Sequence, residues 1–361
     1  MSSQTITTFL DEWYNASDRV LVKTSGSTGK PQLMWVLKEK MKASARVTCD
    51  FLGLCEGDTA LLCMSLDYIA GKMMVVRAIE RKLRLIVIEP TGHPMAMTQG
   101  VMYDFSASPT IPQPVTLPTE ITFAAMVPLQ VFNTLQIPTE RRLLMTVRHL
   151  IIGGGGIDKT MATELKHFPH HVWSTYGMTE TLSHIALRQL NGEDASEWYT
   201  PFEGVRLSLS EDNCLTIDAP AVCEGLLFTN DIAEMAGDGS SRFRIVGRKD
   251  NVICSGGVKI QIEEVEAALR PHINIPFMIT KCKDEKFGET PVLMYESAKE
   301  QDFQEALSQL PRYWRPKYCL RIDHLPMTET GKPARKEAML IAASNSTLYT
   351  LNPNYRANRT Q

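Results

Sequence analysis

The chain has no long apolar run, and its first residues, "MSSQTITTFLDEWYNASDR", do not follow the basic-then-apolar order of a secretion signal. The expectation from these two absences is a cytoplasmic protein without a membrane span. There is also no C-x-x-C pair. The eight cysteines stand scattered at 49, 55, 63, 214, 223, 254, 282 and 319, which disfavours both a zinc site and a disulfide framework. Nor is there an excess of one charge: 38 Lys and Arg face 41 Asp and Glu, so the bulk composition carries no electrostatic footprint for nucleic acid. What is present is an ordinary globular composition over 361 residues, enough for two domains with a sizeable core.

Short apolar runs suited to buried strands recur along the chain: "LRLIVIEP" (83–90), "ITFAAMVPL" (121–129), "RHLIIGGGG" (148–156) and "HVWSTYG" (171–177). Each runs into Pro, Gly or polar residues, and stretches with helical spacing such as "AGKMMVVRAIERK" lie between them. This alternation predicts an α/β sheet with ligands gathered at the strand ends. After "RFRIVGRKD" the segments shorten and gain charge. "QIEEVEAALRP" puts Ile262, Val265 and Leu269 on one helical face, and "DFQEALSQLP" does the same for Phe303, Ala306, Leu307 and Leu310. The expected division is a large α/β domain over 1–248, a small α+β domain over 251–343 and a polar tail over 344–361.

Near the front stands "TSGSTGKPQ" (24–32), which is not a Walker A loop: two residues separate Gly26 from Gly29 and Lys30, and Pro31 follows the lysine. Its chemistry still suits phosphate. Gly26 and Gly29 let the backbone amides turn inward, Thr24, Ser25, Ser27 and Thr28 offer hydroxyls, and Lys30 brings charge. A flexible Gly/Ser connector is the competing reading.

Four further stretches follow in order: "YGMTETLSH" (176–184), "TND" (229–231), "GRKDNVICSGGVKI" (247–260) and "TETGKPARK" (328–336). Together with the opening loop they resemble the AMP-forming acyl-adenylate enzymes, the superfamily of acyl-CoA synthetases, adenylation domains and luciferases. The resemblance implies a two-step reaction using ATP, Mg2+ and CoA, in which a carboxylate becomes acyl-AMP and a thiol then displaces AMP. It implies that residues Thr24, Ser25, Gly26, Ser27, Thr28, Gly29 and Lys30 hold the outer phosphates. Gly153, Gly154 and Gly155 would approach adenine, the Tyr176 ring would lie against it, and Thr179 would contact the α-phosphate. Glu180 would hold magnesium, and Asp231, assisted by Arg248, would take the ribose hydroxyls. Asp250 matches the hinge on which the small domain swivels, and Lys332 the lysine that stabilises charge during adenylation. The glycines of "CSGGVKI" would line the pantetheine passage. Relatives carry a long region before the phosphate loop, so the large domain is expected to be N-terminally truncated.

Within the superfamily the "YGMTET-x-SHIALR" form looks most like the short bacterial 2-succinylbenzoate-CoA ligases of menaquinone biosynthesis. That resemblance implies an aromatic keto-dicarboxylic acid as small-molecule partner, with one carboxylate activated and the other needing a cation or several donors. Lys72, Arg77, His184 and Arg188 are the substrate candidates; Arg77 and Arg188 are weighted toward the surface, Lys72 evenly between ligand and surface charge. The alternatives are another acyl- or aryl-CoA synthetase, an enzyme loading a separate carrier protein, and a truncated, non-catalytic nucleotide-binding protein. A homo-oligomer is compatible with all of them.

Overall fold

The computed structural model describes residues 4–24, 32–108, 110–157, 159–328, 332–344 and 349–350. A helix, α1 (Ile6–Tyr14), leads into β1 (Arg19–Lys23) and β2 (Leu33–Leu37), which pair antiparallel and flank the phosphate-loop sequence along the chain. Then come α2 (Lys38–Phe51), β3 (Thr59–Leu62), α3 (Ile69–Arg81), β4 (Arg84–Val87), β5 (Gln99–Asp104) and β6 (Gln113–Thr116). They are followed by β7 (Phe123–Met126), α4 (Pro128–Gln136), α5 (Pro138–Leu144), β8 (His149–Ile152), α6 (Lys159–Leu165), β9 (His171–Gly177), β10 (His184–Gln189) and β11 (Thr200–Pro201).

From β3 onward these strands make one nine-stranded sheet in the order β11-β10-β9-β8-β7-β3-β4-β5-β6. Its centre, β4-β3-β7-β8-β9, is parallel. Chain order reverses between β3 and β7, so a crevice opens where the strands end and their loops diverge, and ligands of open α/β sheets collect there. Apolar side chains cover both faces of the sheet. Phe9, Met41, Met73 and Leu85 belong to one core, on the side of α1, α2 and α3; Val131, Leu144, Leu165 and Ile152 belong to the other, on the side of α4, α5 and α6.

A second, antiparallel sheet of β12 (Arg206–Leu209), β13 (Cys214–Asp218), β14 (Leu226–Met235) and β15 (Phe243–Arg248) follows. Beyond it β16 (Val252–Ser255), β17 (Val258–Gln261), α7 (Ile262–Leu269), β18 (Phe277–Asp284), β19 (Gly288–Glu296), α8 (Gln304–Ser308), β20 (Tyr318–Ile322), α9 (Arg335–Ser344) and β21 (Tyr349–Thr350) build a sheet with its own apolar core around Ile260, Val265, Leu269 and Leu293. Among the described residues the strands up to Arg248 and those from Val252 share no ladder. Part of the expected polar tail joins this last sheet, because Tyr349 and Thr350 pair antiparallel with Cys319 and Tyr318. No described helix is long and apolar enough to cross a membrane.

The N-terminal helix is tied to the core by a charge. Phe9 and Trp13 of α1 are buried, and Glu12 beside them accepts the Leu21 backbone N–H at 2.9 Å and faces the Lys72 Nζ of α3 at 3.4 Å. Lys72 also donates to the Leu21 carbonyl at 3.0 Å and lies over the Phe9 ring. Burial presses the Lys72 ammonium below its usual pKa, and Glu12 pulls the other way. The surface-charge reading of Lys72 gives way to this one: the residue is 3% exposed because α1 and β1 close over it, and its ammonium is engaged by Glu12 and the Leu21 carbonyl. Removing one member of such a buried pair strands the other charge. Lys72→Ala is therefore expected to lower unfolding stability by about 3 kcal/mol while the KM for ATP stays within twofold of wild type; denaturant titration and initial rates check both.

Candidate active site

The loops leaving β7, β8 and β9 converge on one point. Ile152 runs into Gly153, where a Cβ would stand 2.3 Å from the Thr175 hydroxyl of β9, so a larger residue there would displace that side chain. Gly154 follows with φ +83°, in the left-handed region, and its Cβ position lies 3.9 Å from the Lys332 Cε and 3.7 Å from Val127. Gly155 packs on Pro128, the first residue of α4. A lysine far away in the sequence thus sits, half-buried, beside the glycine turn.

A second group of contacts starts at the end of β9. The Tyr176 hydroxyl donates to Asp231 Oδ2 at 2.7 Å, and Arg248 Nη1 donates to Asp231 Oδ1 at 2.6 Å. Antiparallel pairing sets this up, since Asp231 of β14 stands directly across from Arg248 of β15. Tyr176 is only 9% exposed; its ring meets Phe243 edge-on at 5.1 Å. Burial raises the Tyr176 pKa, and Asp231 raises it further. For Arg248 burial acts to lower the pKa, but Asp231 and Asp250 outweigh it. Burial lowers the Lys332 pKa, Arg248 adds to the effect, and Asp231 opposes it. These groups therefore share one electrostatic environment. Asp250, two residues on, accepts from Arg248 Nη2 at 3.0 Å and from Asn230 at 3.2 Å.

Between β9 and β10 the chain folds back within six residues. Thr179 is buried and Glu180 exposed on a single 3-10 turn, Thr179–Thr181. Leu182 then takes φ +63° and ψ -37°, closing a γ-turn in which Ser183 N donates to Thr181 O at 2.7 Å. That geometry is strained for a side chain of leucine's size, and the turn holds it because Leu182 is buried at 2% exposure. The return places Ser183 and His184 against Gly177, whose Cβ position is 2.2 Å from the Ser183 carbonyl.

Behind this hairpin lies Arg77, expected at the surface and found 2% exposed. Its Nη2 donates to Ser183 Oγ at 2.6 Å and to Thr48 Oγ1 at 3.4 Å, and its buried Nε has no hydrogen-bond partner. Among the described residues it forms no ion pair, and burial lowers its pKa to about 10. The side chain is inside because α2 packs over α3, while Ser183, just before β10, meets its guanidinium. His184 is buried beside it. Arg188, in contrast, places its guanidinium over the Tyr199 ring at 5.1 Å, away from this cluster.

Of the phosphate-loop residues, Thr24 is described: its N–H donates to the Gln32 carbonyl, and its Oγ1 accepts from Gln32 N at 2.9 Å, which pins the base of the loop. Ser25, Gly26, Ser27, Thr28, Gly29 and Lys30 lie outside the described residues.

The model of the AMP-binding enzyme family matches residues 19–213, more than half of the chain. This chain belongs to the AMP-binding enzyme family. A 2-succinylbenzoate–CoA ligase from Geobacillus is 25% identical over 92% of this chain and 71% of its own length. A solved structure from Dyadobacter fermentans, described as an acyl-CoA synthetase (AMP-forming)/AMP-acid ligase II-like protein, is 32% identical, covers 92% of both chains and superposes with a TM-score of 0.57. The o-succinylbenzoate coenzyme A synthetase of Bacillus subtilis, solved with ATP and a magnesium ion, shares the fold at 19% identity and a TM-score of 0.67, over 88% of this chain and 69% of that one.

ATP, Mg2+ and CoA are the cosubstrates and metal of AMP-forming ligases, and this member's donors suit them. Magnesium is usually held by one or two carboxylates together with phosphates, and the exposed Glu180 on the turn after β9 meets that need. Sequence reasoning underrated Arg77. The one available sign was a cation on the apolar helix face "MMVVRAI", where a surface residue would break the stripe.

Proposed function

We propose that this AMP-forming acid-CoA ligase activates 2-succinylbenzoate and transfers it to CoA, as in menaquinone biosynthesis. The observation that carries the choice of acid is Arg77, a buried guanidinium with no carboxylate partner among the described residues, set behind the hairpin that bears Thr179 and Glu180. A buried cation without a counter-ion is unfavourable in the free enzyme, and an acid with a second carboxylate supplies what is missing. A fatty or simple aryl acid would leave the guanidinium unpaired.

In this reading the succinyl carboxylate attacks the α-phosphorus of ATP and pyrophosphate leaves. Lys332 and Thr179 stabilise charge on the carboxylate and the α-phosphate, and the loop from Thr24 to Lys30 steadies the outer phosphates. Asp231 accepts from the ribose hydroxyls with Arg248 holding the carboxylate in place, while Gly153, Gly154 and Gly155 let adenine approach the backbone beside Tyr176. Magnesium, when bound at Glu180, neutralises phosphate charge. The segment from Val252 then swivels about Asp250, withdrawing Lys332 and opening a glycine-lined way for the CoA thiol, which displaces AMP.

The deciding assay measures pyrophosphate release from ATP and magnesium. Release dependent on 2-succinylbenzoate, with a CoA thioester formed on addition of CoA, is the expected result. Release with a different acid alone would refute the substrate and leave the ligase chemistry intact.

A further inference from the structure

The groups around Arg77 form a chain whose hydrogen-bond directions can be worked out. Thr48 Oγ1 donates its only proton to the Ser44 carbonyl at 3.1 Å, so toward His184 Nε2, 3.0 Å away, it can only accept. His184 therefore carries its proton on Nε2. Its Nδ1 is left as an acceptor and takes the Ser183 hydroxyl proton across 3.2 Å. Ser183 Oγ, having given its proton away, presents lone pairs to Arg77 Nη2 at 2.6 Å. Reversing the histidine tautomer would require Thr48 to turn its proton from the Ser44 carbonyl to Nε2, and would leave Ser183 accepting from both Nδ1–H and Arg77 with no partner for its own proton among these groups.

From this we infer that His184, fixed in its Nε2–H tautomer by Thr48, is a positioning residue: through Ser183 it holds the Arg77 guanidinium ready for the substrate's second carboxylate. The role rests on the 2-succinylbenzoate reading. In this role His184 acts on Arg77 and contacts neither the nucleotide nor the reacting carboxyl, which separates it from the ligand role considered for it from sequence. Burial, and then Arg77, keep the imidazole neutral well below the usual histidine range. The groups facing it are Arg77 from α3, Thr48 and Ser44 from α2, and Phe202 and Glu203 across a void of about 30 Å3. Cys49, next to Thr48, is a buried thiol whose pKa burial raises.

The test compares His184→Phe, which fills the site without hydrogen bonds, with His184→Gln, which keeps a donor for Thr48 and an acceptor. The readout is the ratio of kcat/KM for 2-succinylbenzoate to that for 4-oxo-4-phenylbutanoate, the same acid without the ring carboxylate. His184→Phe should lower this ratio by ~10-fold or more, through KM for the diacid, and His184→Gln should restore most of it. Histidine 15N spectra of the wild-type enzyme should show Nε2 protonated and Nδ1 bare. An Nδ1–H tautomer, or a ratio unmoved in His184→Phe, would overturn the role. Loss of activity toward both acids alike, with the glutamine variant no better, would show core packing alone and overturn it too. If the wild-type enzyme ignores 2-succinylbenzoate, the substrate reading fails and this role with it, a result distinguishable from failure of the role by itself.

Discussion

Lys332→Ala should lower pyrophosphate release from ATP and the acid by ~10²–10³, the loss typical when one charge-stabilising donor is removed from a transition state. Thioester formation from presynthesised acyl-AMP and CoA should keep most of its rate in the same variant. The asymmetry follows from geometry. Lys332 approaches the glycine turn after β8, next to the Asp231 and Arg248 pair, from a segment otherwise built into the last sheet. In the proposed mechanism its contribution belongs to adenylation, before the segment from Val252 swivels. Because burial lowers its pKa, adenylation should also decline at alkaline pH earlier than an ordinary lysine would dictate: the cation is present below its pKa and lost as pH rises through it. Equal loss in both half-reactions would overturn this assignment.

Arg77→Met carries the second large effect, and it has two signs. Binding of the diacid loses its buried cation, so kcat/KM for 2-succinylbenzoate should fall by ~10³, while the analogue lacking the ring carboxylate should lose little. The free variant should unfold at a higher temperature than wild type. A methionine of comparable length fills the space between Met74, Thr48 and Ser183, and a buried, incompletely bonded guanidinium is replaced by an apolar group. Calorimetry together with the two-acid comparison tests both signs. A variant that is less stable and equally impaired on both acids would mark Arg77 as a structural residue.

Local signals in the sequence located the strands well where a run is apolar and ends in a loop. "HVWSTYG" spans the observed β9, and "QIEEVEAALRP" contains α7. The longer run "ITFAAMVPL" yields only Phe123–Met126 as strand, because Pro128 starts α4. Glycine, Asp231 and Lys332 were readable because their motifs are contiguous and the fold brings the motifs together. The fates of Lys72 and Arg77 were not, since each depends on contacts with a segment remote in sequence: Glu12 of α1 for one, Thr48 and Ser183 for the other. A cation on a helix is equally written for water or for a buried partner until the neighbouring helix is placed. The strain at Leu182 was also silent, because nothing in "ETLSH" marks a residue with positive φ.

Arg248 has two carboxylates to serve, Asp231 in the proposed ribose site and Asp250 at the proposed hinge. A single guanidinium shared in this way can link nucleotide occupancy to domain freedom, and any such link is thermodynamically reciprocal. If a bound ribose draws Arg248 toward Asp231 and away from Asp250, the hinge loosens by some factor, and a loosened hinge must tighten the nucleotide by that same factor. The molecule then needs no separate signal to report that its first substrate has arrived.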